Sequence, residues 1–143
     1  MENSHALNTT HRNKKAVAHI VQQYRILAGT SYKPATLREF AHELSEALHS
    51  IGRSVSYQSI KNWQDRVYLP DTLLMMRLAQ VAKHDWRGEF AADILAALYP
   101  QEYQPLTEIG RRALLSSDEI RLTGGQYGGQ QKEANEATGL SRS

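Results

Sequence analysis

With 143 residues, 41% of them hydrophobic and 22% charged, the chain has the make-up of a single globular domain with flanking segments, which excludes a fibrous repeat and whole-chain disorder. It contains no cysteine, so disulfides, thiolate zinc centres and cysteine nucleophiles are excluded together. The net charge is only +2 but is unevenly spread: residues 1–35 carry Arg12, Lys14, Lys15, Arg25 and Lys33 against Glu2, whereas 36–143 carry 12 basic and 14 acidic groups.

The amino-terminal residues have no signal-peptide apolar core and no stretch approaches ~18 uninterrupted apolar residues, so a soluble, cytoplasmic protein without membrane contact is expected. Residues 1–14 are polar and without period, and are expected to be a flexible basic arm, either solvated or touching phosphate. Val17, Ile20, Val21, Tyr24 and Leu27 then recur at three- and four-residue steps up to Gly29, which predicts a first amphipathic helix. Thr36 with Glu39 three residues later forms a capping box. Leu37, Phe40, Ala41, Leu44, Leu48 and Ile51 share the inner face of the second helix before Gly52 stops it.

Ser54 or Ser56 can cap a third helix whose only apolar stripe is Ile60 and Trp63, with Val67 beyond. Most of its girth is therefore exposed, and Trp63 reads as core rather than as a stacking platform. Pro70 and Asp71 open a fourth helix with Leu74, Leu78, Val81 and Ala82 inward. Asp85 caps a fifth, with Phe90, Ile94, Leu95 and Leu98 inward up to Pro100. Residues 15–100 thus read as one all-α domain of five helices. Within 101–122, Thr107 to Leu115 can add a short accessory helix, with Ala113, Leu114, Leu115 and Ile120 docking on the bundle. From Thr123 the chain is rich in Gly, Gln, Ser and Glu, so 123–143 is expected to be a disordered tail.

The order Thr36-Leu-Arg-Glu-Phe-Ala41, Ser56-Tyr-Gln-Ser-Ile-Lys-Asn-Trp63, Leu69-Pro70 and Leu78-Ala79 resembles the phage repressor/Cro-like helix-turn-helix family, often called XRE-like, over about residues 36–82. The resemblance implies a five-helix lambda-repressor-like bundle in which Ala41 lets the third helix approach closely. Ile60 and Trp63 would anchor that helix, and Pro70 would begin the fourth. Between Ala41 and Ser56 the chain has more residues than the family's tight turn, so either the second helix is extended or Ser50-Ile-Gly-Arg-Ser54 enlarges the turn. The function implied is sequence-specific DNA binding by a transcriptional regulator, as a homodimer on double-stranded DNA, with no cofactor and no enzymatic activity.

The chemistry of the third helix fits that expectation. Gln58 and Asn62, four residues apart, share one face and carry amides able to pair with adenine, while Lys61 can reach guanine or phosphate. Tyr57 and Ser59 lie in the first turn, where members of the family touch DNA. Tyr57, Gln58, Ser59, Lys61 and Asn62 are therefore the candidate base contacts. Arg53 and Arg66 flank the helix, and with Arg38 at the start of the second helix they are the candidate phosphate contacts. Glu39, Glu43 and Glu46 would repel phosphate, which turns the outer face of the second helix away from DNA.

Two further functions share the motif: a phage or mobile-element protein for packaging, replication or partition, and a helical protein adaptor that has lost DNA binding. His42, Glu46 and His49 share a helical face but lack the His-Glu-x-x-His spacing, so no metal is assigned. The Gly124-Gly125-Gln126 and Gly128-Gly129-Gln130 tripeptides echo that of peptide-chain release factors, but lie in a biased segment that reads as linker. Neither a Gly-rich phosphate loop nor a nucleophile elbow is present.

Overall fold

A computed structural model describes the backbone of residues 2–115 and the side chains from Asn13 onward. Among these residues there is no strand and there are six helices: α1 (Glu2–Ala28), α2 (Leu37–Leu48), α3 (Tyr57–Gln64), α4 (Thr72–Val81), α5 (Trp86–Leu98) and α6 (108–115). The fold is therefore an all-α bundle. The tail over 123–143, its two glycine–glutamine tripeptides and Ile120 lie outside the described residues.

Four helix starts are set by one short side chain each. Thr36 accepts from the Glu39 amide at 3.0 Å while its own amide donates to Glu39 Oε1 at 2.9 Å, completing the capping box at α2. Ser56 caps α3, Asp71 caps α4 and Asp85 caps α5 through amides two or three residues on. Such a cap satisfies an otherwise unpaired first-turn donor and stabilises a helix by about 1 kcal/mol. Arg87 returns to Asp85 at 2.9 Å and holds its carboxyl below the usual carboxylate range.

The core is organised by aromatic rings and by α5. Tyr24 from α1, Phe40 from α2, and Trp86 and Phe90 from α5 interleave with ring centroids 5.3 to 6.3 Å apart. Phe90, Ile94, Leu95 and Leu98 are all buried as expected, but so are Ala91, Asp93, Ala96 and Ala97. The helix is thus enclosed on nearly every side, by α1, α2, α4 and the segment that follows it.

Three differences from the sequence expectation have physical causes. The first helix begins at Glu2 rather than near residue 15, so the backbone of the polar residues from Glu2 onward continues α1. Once Val17, Ile20, Val21 and Tyr24 are packed, each added residue contributes one hydrogen bond without a new nucleation cost. Leu27 is exposed, because the buried stripe of α1 continues to the partly buried Ala28 instead. On α4, Val81 is exposed and Met75 is fully buried: the inner stripe runs through Leu74, Met75 and Leu78, which leaves Val81 at its edge.

A buried carboxylate fastens the end of the described chain. Asp93 is 0% exposed and accepts from Tyr24 Oη at 2.7 Å, from the Leu106 amide at 2.7 Å, from the Thr107 amide at 3.1 Å and from Thr107 Oγ1. Burial, with this carboxylate alongside, pushes the Tyr24 phenol well above its ordinary value. A Cβ at Gly110 would lie 2.5 Å from the Asp93 carboxylate, so α6 approaches this closely only with glycine there.

Candidate functional site

The path into α3 is longer than a tight helix-turn-helix turn, and its geometry is specified residue by residue. After α2 the chain makes a short 3-10 turn, His49–Ile51, and Gly52 takes a left-handed conformation at φ 68°, where a side chain would be strained. Both alternatives for the extra residues are realised: a 3-10 turn prolongs α2, and an extended stretch follows it. Ser45 of α2 fastens that stretch by accepting from the Val55 amide at 2.8 Å and donating to the Val55 carbonyl at 3.0 Å. Val55 is itself buried. This clamp, which no local pattern announces, sets where α3 starts.

α3 is held along a narrow edge. Ile60 is 0% and Trp63 is 5% exposed, whereas Val67 is 47% exposed and lies outside the stripe. The remaining fixing comes from Arg25 of α1, whose Nη1 donates to Gln64 Oε1 at 2.6 Å and whose Nε donates to the Ala35 carbonyl at 2.8 Å. Sequence periodicity gives Arg25 no such role, because its partner lies 39 residues away.

The five candidate base contacts occupy different situations. Gln58 is exposed and its Nε2 donates to Asn62 Oδ1 at 3.2 Å, which couples the two amides on one face. That bond uses one of Gln58's two N–H groups and leaves its Oε1 and second N–H free, the pair of functions that adenine requires. Tyr57 is half-exposed at the start of α3, with the Arg38 guanidinium stacked 4.0 Å above its ring centroid. Ser59 is engaged in the cap, its hydroxyl 3.2 Å from that of Ser56. Lys61 is exposed and bonded to Asp65 at 2.6 Å, a contact that pushes its ammonium pKa up.

The three candidate phosphate contacts are not gathered in one place. Arg38 is stacked at the start of α3 and Arg53 is exposed in the connection before it. Arg66 lies beyond the other end, beside α1 and α6. The acidic face of α2 is partly neutralised from α5: Arg87 sits 3.7 Å from Glu46 and donates to the Glu43 carbonyl at 3.2 Å.

Arg66 itself has an unusual backbone. The Arg66 amide donates to Trp63 O at 3.3 Å and the Val67 amide to Asn62 O at 2.8 Å, the two bonds of a Schellman ending whose left-handed position is usually glycine. Arg66 holds that position at φ 64°, the one positive φ on a non-glycine residue among the described residues. A β-carbon there costs about 1 kcal/mol. Arg66→Gly is accordingly expected to raise the urea midpoint by an amount equivalent to about 1 kcal/mol, with unchanged cooperativity; a lower midpoint would show that the guanidinium itself supports the fold.

No helix among the described residues is long and apolar enough to cross a membrane. Compared with protein-family models, with curated proteins and with solved structures, the chain gives no match.

Proposed function

We propose that the chain is a sequence-specific DNA-binding protein, acting as a transcriptional regulator, that seats α3 in the major groove. In this reading α2 and α3 are the helix-turn-helix of a lambda-repressor-like bundle formed by α1 to α5, with α6 an addition. The observation that carries it is the character of α3. Its buried edge is limited to Ile60 and Trp63, and it turns outward a coupled pair of amides, Gln58 and Asn62, flanked by Tyr57 and Lys61. An α-helix fills the major groove, and side-chain amides at helical spacing match the donor–acceptor pattern of its base edges.

A protein-gripping adaptor is the less well supported reading. The core of a protein interface is depleted in charge and rich in apolar and aromatic groups, whereas the outward side of α3 bears Gln58, Lys61, Asn62 and Asp65, with Tyr57 its one aromatic. A homodimer is part of the proposal, because one small module buries too little surface for tight specific recognition. Its interface is not α5, which is enclosed within the chain. The segment after Pro100, with Leu106 and Leu115 exposed, is the remaining choice.

Selection of duplexes from a random pool, followed by sequencing of the bound fraction, tests the reading. Enrichment of a two-fold-related motif is expected, and a pool that stays random after repeated rounds would remove it. A second expected result concerns the ion pair on the reading face. Asp65→Asn frees Lys61 and removes a carboxylate that faces the phosphates, so affinity for random duplex at low salt should rise about fivefold. Fluorescence anisotropy over a salt series measures this; an unchanged affinity would mean that α3 does not lie against the duplex.

A further inference from the structure

A recess of about 170 Å³ lies on the flank of α3 away from Gln58 and Asn62. α1 contributes Lys15, His19 and Gln22 to it, the end of α3 contributes Gln64 and Arg66, and Ala113 of α6 closes one side. No carboxylate among the described residues lines it. Gln64 has its Oε1 engaged by Arg25 at 2.6 Å, so the group it has left to offer is its NH2.

The cations around this recess divide into two sets. Arg25 is bonded to Gln64 and Ala35, Lys14 donates to the Val67 carbonyl at 3.3 Å, and Arg111 and Arg112 are paired with Glu108. Lys15 and Arg66 alone line the recess, and neither has a carboxylate partner among the described residues. Two unpaired cations converging on one cavity repel each other unless an anion joins them. Arg66 moreover occupies a backbone position that glycine would fill without strain. Local strain of this kind persists where a side chain is needed for something other than stability. Burial lowers the pKa of His19, which keeps its ring neutral and able to donate from one nitrogen.

We propose that this cavity binds the phosphate group of a small free ligand, held between Lys15, Arg66, His19 and the amides of Gln22 and Gln64. Donors arriving from α1 and from the end of α3 suit a tetrahedral oxyanion with oxygens in several directions. A planar carboxylate, by contrast, is satisfied by a single arginine fork. The volume admits a phosphate group with part of what it esterifies. Counted at 100° per residue, Gln64 lies roughly 120° round α3 from Gln58 and roughly 160° from Asn62. The cavity is therefore distinct from the face assigned to base reading, and the proposal stands whether or not that face meets DNA.

The test is a nuclear magnetic resonance titration of the isotope-labelled full chain with sodium phosphate, against sodium chloride at matched ionic strength, following the His19 ring and the Arg66 Nε signal. Saturable shifts at both groups are expected with phosphate and not with chloride, at an affinity on the order of millimolar for the bare ion. Lys15→Met and Arg66→Gly should each weaken binding about tenfold, the latter while raising stability, so that lost binding cannot be ascribed to lost folding. A second titration uses a random duplex and separates a free phosphate from the backbone of DNA: the His19 and Arg66 signals should stay in place and phosphate should still bind. Shifts that chloride reproduces, shifts indifferent to Arg66→Gly, or a duplex that displaces phosphate from the cavity would each overturn the proposal.

Discussion

Replacing Gln58 and Asn62 together by alanine is expected to lower affinity for a selected duplex by roughly 100-fold while leaving affinity for random duplex nearly unchanged. The two amides are bonded to each other at 3.2 Å, so each orients its neighbour and the losses should not be additive. Each bidentate amide–adenine contact discriminates by about 1–3 kcal/mol, and a coupled pair falls within the range of one to two such contacts. Alanine is the strongest helix former, and both side chains leave the helix away from its buried stripe of Ile60 and Trp63, so circular dichroism and melting should be those of the parent. A salt-matched mobility-shift assay reads the result. Retention of specific binding by the double variant would place recognition elsewhere than α3.

The largest expected effect on stability is at Asp93. Its carboxylate is fully buried and receives the Tyr24 hydroxyl, the Thr107 hydroxyl and two backbone amides. Asp93→Ala leaves those amides without an acceptor in the interior and opens a small void beside Gly110. An unsatisfied buried donor costs about 1–3 kcal/mol. The two hydroxyls, already 3.1 Å apart, can partly satisfy each other, so the net loss should be about 4 kcal/mol. The segment from Tyr103 to Leu115 is held to α5 through this group, and limited proteolysis of the variant should cut there first. A loss below about 1 kcal/mol would mean that the segment is held by its apolar contacts alone.

How much of this was legible in the sequence depends on the distance between cause and effect along the chain. Helix starts were legible because Thr36, Ser56, Asp71 and Asp85 act on amides two or three residues away. The narrow edge of α3 was legible because Ile60 and Trp63 sit three apart. The clamp from Ser45 to Val55 spans ten residues, the Arg25–Gln64 bond 39 and the Tyr24–Asp93 bond 69. None of the three follows from periodicity. An aspartate in mid-helix reads as solvated surface until the partners brought to it by the fold are known. The same limit hid the convergence of Lys15 and Arg66, which lie 51 residues apart in the sequence.

The enclosure of α5 has a kinetic side. Nine of its 13 residues are buried, and its backbone can meet solvent only when the surrounding helices come away together. Its amide protons should therefore exchange with heavy water at the rate of whole-molecule opening. The exposed side of α3 can breathe many times in that interval without disturbing the middle of the bundle, which makes α5 the slow clock against which loosening of the outer helices can be timed.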